Sequence, residues 1–443
     1  MPAEPLARTS RPPVRIAHLG LGNFFRAHQA WYTSVAPDAD RWGIAAFTGR
    51  SAGLARSLEA QAGLYNLVVR GAERDDLTVI GSVAAAHAGG DLDAWTGYLS
   101  RADVALVTLT VTEAAYRRGR GGGLDDTDPD VRADLAAWRS GAGPTTIPGR
   151  MASGLNARRA NFAGPLAVVS CDNLPGNGAA TRQMVLDFAG EAEPALASWI
   201  RDNVSFVTTM VDRITPRTTP EDVEMVAERG AADASPVVTE PFTEWLLEGD
   251  FPRGRPAWEA GGARFVADVK PHELRKLLLL NGGHSLLAYA GSALGLTTIA
   301  EAVADERCRA WLNEWWDEAV RHVPLPADEL ADYRTALLGR FANPRIRHTL
   351  AQIASDGSQK IPIRVLPVLR GERAAGRMPG GAIRVLAAWI GHLRGRGAPV
   401  NDAGAAAYQE KAATPRDVLA LLAPDLAADQ ALADELARAT GAS

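Results

Sequence analysis

The sequence predicts an α/β amino-terminal domain on a mostly parallel sheet, followed by a mostly α-helical carboxy-terminal domain. Two observations carry this. Short apolar runs alternate with helix-compatible stretches through the first part of the chain, as strand–helix–strand units require. Beyond position 270 the strand signals fade and helical periodicity takes over. The change falls near 265–272, which divides the chain into an α/β domain over 1–268 and a helical domain over 269–443.

Val14–Leu19 (VRIAHL) reads as a buried strand that stops at a glycine turn, and Phe25–Ser34 as the helix after it. Gly43–Phe47 is a second strand and Ala52–Ala62 a second helix. Leu64–Val69, Leu77–Val83, Val104–Thr110, Leu166–Ser170 and Val204–Val211 continue the strand pattern with β-branched residues. In the second half, Leu274–Ala293, Thr298–His322, Glu329–Arg340 and Pro344–Ala354 read as helices. So do Val365–Gly371, Gly381–Leu393, Ala405–Glu410 and Arg416–Leu422. Gly119–Gly123, Gly141–Pro144 and Gly371–Gly381 read as loops. Heavy use of alanine and arginine makes isolated alanine runs weak evidence for helix and isolated arginines weak evidence for anions.

Composition narrows the function. In 443 residues, 47% are apolar, enough for buried cores. A net charge of −5 offers no basic surface to a polyanion, so nucleic acid is not an expected partner. Two cysteines make neither a disulfide framework nor a thiolate metal site, and the eight histidines lack H-x-x-x-H or H-E-x-x-H spacing. No metal is expected. Neither a secretory leader nor a bilayer-length apolar run is seen, so the expectation is a soluble, cytoplasmic protein with no membrane partner.

The chemistry concentrates at strand ends and in one apolar segment. Gly20-Leu-Gly22-Asn23-Phe24-Phe25-Arg26 follows the first strand, and a G-x-G turn opening a helix suits a dinucleotide pyrophosphate. Gly20, Gly22, Asn23, Phe24 and Arg26 are therefore candidate cofactor contacts, although Phe25 stands where the usual third glycine would be. The acid expected near the end of the second strand is also missing. Arg50 there suits a 2′-phosphate or is simply solvated, which leaves NAD or NADP open with NAD favoured. Thr110 and Thr112 follow one strand, and Asp172 and Asn173 another, at the ends where open α/β sheets bind ligands. Turn and cap roles are the plainer account of Thr112 and Asp172.

Lys276-Leu-Leu-Leu-Leu-Asn281-Gly-Gly-His284 sets an amine, an amide and an imidazole in an apolar run. On an α-helix Asn281 lies about 140° and His284 about 80° around from Lys276, so the three share a broad face. Apolar surroundings favour a neutral lysine able to take a proton, the amide steadies an oxygen whose charge changes, and the imidazole orients a hydroxyl. This set suits metal-independent oxidation of a secondary alcohol. The plain alternative is a core helix whose lysine reaches out to solvent.

These segments resemble a known family. GLGNFFRAHQAWY (20–32), LTVTEAAY (109–116), SCDNLPGNG (170–178) and TMVDRITP (209–216) are similar to motifs of the polyol-specific long-chain dehydrogenases, the mannitol 2-dehydrogenase and fructuronate reductase group. TEPFTEW (239–245), KLLLLNGGHSLLAYAG (276–291) and DGSQKIP (356–362) complete the set in order along nearly the whole chain. The resemblance implies a Rossmann-like nucleotide domain, a helical substrate domain, and a polyol, ketose or hexuronate as partner. It implies Lys276 as general base, Asn173 and Asn281 holding the reacting oxygen, and His284 orienting it. It also implies Asp212 beside the nicotinamide end of the cofactor and Lys360 at the distal part of the substrate.

Three positions depart from the family pattern: Leu278 and Gln352 where arginines are common, and His272 where an aromatic ring is. Mannitol and fructose are the expected pair, with fructuronate and mannonate as the alternative. A sugar acid needs a fixed cation, which Lys360, Arg364, Arg340, Arg345 or Arg347 would supply, and Gln352 and Arg364 join Lys360 as candidate substrate contacts. A non-catalytic nucleotide sensor is the remaining reading, disfavoured because a sensor has no use for the base. The expected assembly is a monomer or weak oligomer.

Overall fold

The computed structural model describes residues 3–49, 51–119 and 121–441. Arg50, weighed above for a 2′-phosphate, lies outside the described residues. The chain divides into two compact units, Met1–Val269 and Lys270–Ser443.

The first unit is organised by one sheet whose strands we number β1 (Val14–Leu19), β2 (Gly43–Phe47), β3 (Val83–His87), β4 (Leu106–Leu109), β5 (Leu166–Ser170), β6 (Val204–Asp212), β7 (Glu244–Glu248) and β8 (Arg264–Phe265). Its spatial order is β8-β7-β6-β5-β4-β1-β2-β3. Strands β1 to β6 are all parallel, and β7 turns back antiparallel to β6. The first six strands thus run 3-2-1-4-5-6, the doubly wound order with its switch point between β1 and β4. Register aligns Leu19 with both Phe47 and Leu109, and Leu109 with Ser170, so Gly20, Thr110 and Cys171 emerge along one edge.

Alternation explains the unbroken apolar runs. Ile16, Ile44, Leu106, Ala167 and Val169 face one buried layer with Phe25, Tyr32, Trp245 and Trp258. Ala17, Leu19, Phe47, Val107, Leu109 and Val168 face the opposite layer, against Trp95, Met151, Leu155 and Phe188 from helices. A parallel sheet covered on both faces must be apolar at every position.

Several predicted elements are corrected. The helix expected over Phe25–Ser34 is two, Asn23–Ala27 and Gln29–Val35, broken at His28 (φ −119°, ψ −89°). The strand expected over Leu77–Val83 is also two. Asp75–Ile80 pairs antiparallel with Tyr65–Arg70 in a small side sheet, and β3 begins at Val83. Asp305 ends one helix and N-caps the next within Thr298–His322, and only Leu350–Ala354 of Pro344–Ala354 is helical. Gly371 lies inside the helix Leu366–Ala374, so the loop there is shorter than the glycines suggest.

In the second unit the helix Gly282–Ala293 is buried along nearly its whole length and packs on Glu306–Ala319, Leu350–Ala354 and Gly380–Leu393. Among the described residues no helix is long and apolar enough to cross a membrane.

Candidate active site

At the switch point, Gly20 has φ +111°, and a Cβ there would sit 2.0 Å from the Thr110 carbonyl oxygen. Only glycine permits β1 to turn this close to β4. Behind the turn, the Thr110 hydroxyl donates to the Gly20 carbonyl (2.9 Å), and His18 contacts that hydroxyl through Nε2 (3.1 Å) and the Thr108 hydroxyl through Nδ1 (2.8 Å). Because Thr110 donates to Gly20, it must accept from His18 Nε2–H, which leaves Nδ1 to accept from Thr108. Complete burial pushes the His18 pKa down to about 3, so the ring stays neutral. Phe25, at the missing third glycine, is fully buried and stacks on His18 with centroids 3.6 Å apart. Here a phenyl ring fills the helix–sheet contact that a glycine would otherwise close.

Gly22 differs from Gly20. A Cβ there would meet nothing nearer than the Gly20 carbonyl oxygen at 3.6 Å, so the backbone is open to a ligand. Asn23 and Phe24 are half-buried beside it, and the Asn23 amide donates to the Pro216 carbonyl (3.4 Å). The Arg26 guanidinium is buried and taken up by Asn23 Oδ1 (2.7 Å) and the Gly22 and Ser235 carbonyls. Burial lowers its pKa to about 10, still a cation. Its donors brace the turn from within.

Thr112 is exposed and precedes the short helical turn Glu113–Tyr116 without a side-chain cap bond. Asp172 is no cap either. Its carboxylate accepts from the Val111 amide, the Tyr116 hydroxyl and the Ser170 hydroxyl, tying the loop after β4 to the loop after β5. Desolvation raises its pKa to about 6. Asn173 follows on the exposed side, and Asn177 fastens this loop to β6 by donating to the Asp172 and Thr209 carbonyls (2.9 and 2.8 Å). Asp212, buried, ends β6 opposite Glu244. Arg213 turns inward, donating to the Ala27 and Glu240 carbonyls.

In the second unit the expected continuous helix over Leu274–Ala293 is interrupted. Lys276–Asn281 is a π-helical turn between Lys270–Arg275 and Gly282–Ala293, with the Gly282 amide donating to the Leu277 carbonyl. Closure from residue i to i+5 brings residues five apart towards one face, so Lys276 and Asn281 are nearer to alignment than α-helical geometry allows. Trp315 Nε1 donates to the Leu278 carbonyl and Trp316 Nε1 to the Leu279 carbonyl, both at 2.9 Å. Arg364 donates to the Asn281 carbonyl (3.3 Å) and the Ser285 hydroxyl (3.2 Å). The glycine pair has a packing cause. A Cβ on Gly282 would sit 2.6 Å from the Trp315 ring, and one on Gly283 2.9 Å from Leu312 and 3.3 Å from the Trp316 nitrogen.

His284, nearly buried, stacks on Phe341 (4.7 Å) and meets His348 edge-on (5.0 Å). Desolvation and the nearby Arg340 charge lower the His348 pKa. The DGSQK segment forms a helix, Gly357–Arg364, entered through Asp356 at φ +55°. Lys360 Nζ donates back to the Ile353 and Ser355 carbonyls, and desolvation lowers its pKa. Burial lowers Arg364 to about 10. Gln352 is exposed, and its Oε1 accepts from Thr349, the N-cap of its own helix (3.0 Å). Among the described residues no group of three or more His, Cys, Asp or Glu is placed to hold a metal ion.

The chain matches known proteins along nearly its whole length. The model of the mannitol dehydrogenase Rossmann domain matches residues 14–260, and that of the mannitol dehydrogenase C-terminal domain matches 268–440. The chain belongs to the mannitol dehydrogenase family. It is 40% identical over 382 residues to a D-mannonate oxidoreductase of Escherichia coli (strain K12), covering 83% of this chain and 77% of that one. It is 36% identical over 453 residues to a mannitol 2-dehydrogenase of Cereibacter sphaeroides, covering 96% and 92%. The structure of Pseudomonas fluorescens mannitol 2-dehydrogenase in ternary complex with NAD and D-mannitol superposes with a TM-score of 0.81 at 33% identity, covering 99% of this chain and 93% of that one. This member of the mannitol dehydrogenase family is a secondary-alcohol dehydrogenase.

Sequence reasoning missed His18, Trp315 and Trp316. The histidine sits in a strand that reads as uniformly buried, and nothing local marks it. The WLNEWW run (311–316) does carry a signal, since a buried indole needs an acceptor for its N–H.

Proposed function

We propose that this chain interconverts a polyol and a 2-ketose, D-mannitol and D-fructose first, using a nicotinamide nucleotide and Lys276 as general base. The observation that carries the reading is an amine and an amide at the two ends of one π turn, in a chain almost devoid of lysine. Only four of the 47 basic residues are lysines: 270, 276, 360 and 411. Arginine cannot give up its proton in water, so an amine at 276 suits a group that must cycle between charge states.

The residues fit the nucleotide. The open backbone at Gly22 and the rigid turn at Gly20 suit a pyrophosphate, and Thr110, Thr112 and Asp212 stand at strand ends on the same sheet. NAD is favoured over NADP, since the Pseudomonas fluorescens relative was solved with NAD. When bound, a nicotinamide nucleotide would supply the hydride acceptor for C2 of the polyol and, in its reduced form, the hydride donor for the ketose. Lys276, neutral, removes the proton of the C2 hydroxyl as the C2–H pair of electrons departs, so the C2–O bond becomes a carbonyl. Asn281 and Asn173 donate amide hydrogens to that oxygen as its charge grows, and His284, fixed by Phe341 and His348, orients it. Reduction reverses each step, with Lys276 returning the proton.

A second reading, D-fructuronate and D-mannonate, is favoured by the similarity to a D-mannonate oxidoreductase and by the Arg340 charge beside the His348–His284 pair. A carboxylate substrate wants such a fixed cation. Absorbance at 340 nm with NADH or NADPH against fructose, other ketoses and hexuronates separates the two. Turnover of fructose supports the first reading, and turnover of fructuronate alone replaces it by the second. Lys276→Ala is expected to lower kcat by about 10²- to 10⁴-fold while nucleotide binding persists. An unimpaired variant would remove Lys276 from the role.

A further inference from the structure

A π turn strains the ordinary helical ladder and persists where something holds it. Here the holders are visible. The carbonyls of Leu278 and Leu279, consecutive residues between the amine and the amide, each receive an indole N–H, from consecutive tryptophans of the neighbouring helix Glu306–Ala319. Both indoles are fully buried, so each N–H needs an acceptor as much as each carbonyl needs a donor. Gly282 and Gly283 leave room for the rings, since a Cβ on either would intrude on them or on Leu312. Arg364 takes the Asn281 carbonyl in the same way. Three side-chain donors thus converge on three carbonyls of the turn, those of Leu278, Leu279 and Asn281.

We propose that Trp315 and Trp316 are positioning residues of the reaction: their indole N–H groups lock the π turn and so set the spacing and orientation of Lys276 against Asn281. The inference rests on the reading of Lys276 as the base. Without either N–H, the freed carbonyl is best satisfied by relaxing towards regular α-helical bonding, which turns Lys276 away from Asn281. The ring itself is needed only for packing, which separates the two roles.

Trp315→Phe and Trp316→Phe, made singly in the full chain, keep an aromatic body and remove the donor. The expected result is a kcat about 10- to 100-fold lower, the order that a small misplacement of a catalytic group produces. The KM for nucleotide should stay within about twofold, because the expected nucleotide contacts lie in the other unit. Reductive ¹³C-methylation gives an independent readout, since four lysines yield a simple spectrum whose titration reports the Lys276 amine without substrate. Its midpoint should move by about half a unit or more in each variant.

Wild-type kcat and an unmoved Lys276 titration in folded variants would overturn the proposal. So would a kcat that falls only in step with the folded fraction, or failure of both variants to fold, either of which makes the indoles core packing alone. If the wild-type protein turns over none of the polyols, ketoses or hexuronates, the reading of Lys276 as base fails instead. The titration then still decides whether the indoles set the amine's surroundings.

Discussion

In the amino-terminal unit the residues expected at the nucleotide stand at the ends of regular strands, while in the carboxy-terminal unit Lys276 and Asn281 stand on a turn that regular helix geometry excludes. The strand ends offer main chain: an open peptide at Gly22, a carbonyl at Gly20 tied down by Thr110, and a neutral His18 behind both. The π turn offers side chains, and its own carbonyls are occupied by Trp315, Trp316 and Arg364. A pyrophosphate can be held by backbone amides that any sequence supplies, provided the turn is tight enough. Proton transfer needs particular atoms at particular distances, and the amine and amide proposed for it stand where the helix departs from regularity.

The largest expected effect tests the second half of that contrast. Lys276→Arg keeps a basic side chain of similar length but is permanently charged and cannot accept a proton, so it should lose nearly as much kcat as Lys276→Ala, about 10²-fold or more. Activity close to wild type in the arginine variant would mean that position 276 needs only a cation.

Next come the two glycines of the strand-end turn, which should fail differently. Gly20→Ala forces a methyl against the Thr110 carbonyl at a positive φ and should destabilise by roughly 2 kcal/mol or more in denaturant melts. Gly22→Ala has room for its methyl and an extended backbone, so stability should hold while nucleotide affinity, measured by titration calorimetry, falls about tenfold. Equal stability loss in both would show that the turn has no open side.

Two buried carboxylates sharpen the comparison through pH. Asp172, in the loops after β4 and β5, has its pKa raised to about 6 by desolvation. The folded state then binds its proton more readily than the unfolded chain does. Its contribution therefore favours the fold below about pH 4 and is lost as pH rises through 6, by at most about 3 kcal/mol. Glu372, in the helical unit, is held well below the carboxylate range, first by Arg377 and then by Arg321 and His322, against its desolvation. Its contribution is present above pH 4.5 and is lost as pH falls further. Melting temperatures of Asp172→Asn should lack the gain that wild type shows between pH 7 and 5, and those of Glu372→Gln should lack part of the loss on the acid side. Slopes of the same sign would break the contrast.

The smallest effect is expected at Gln352, exposed and engaged with Thr349. Gln352→Ala should change stability by no more than about 0.5 kcal/mol, so any rise in KM for the sugar would read directly as lost substrate contact.

Most of the sheet was legible because a doubly covered parallel sheet writes itself as apolar runs, and β1, β2 and β5 have the predicted ends. The nucleotide turn was legible in outline from Gly20 and Gly22. The function of Phe25 was not, because its partner His18 is seven residues back on a strand and stacks only in three dimensions. In the second unit the helices were legible but the π turn was not. A run of four leucines satisfies either period, and the indoles bonded to the wider turn come from tryptophans 37 residues on, admitted by the two glycines directly after it.

The wider turn also bears on how the segment tolerates change in length. A π turn contains one residue more than an α-helix covering the same span, so deletion of any one leucine from 277 to 280 would let the helix run on without a break. Such a shortened chain would be locally more regular and would bring the amine and the amide to positions i and i+4 of an α-helix, about 40° apart and still on one face. A change of length, usually confined to surface loops, would here be absorbed by exchanging one helical period for another.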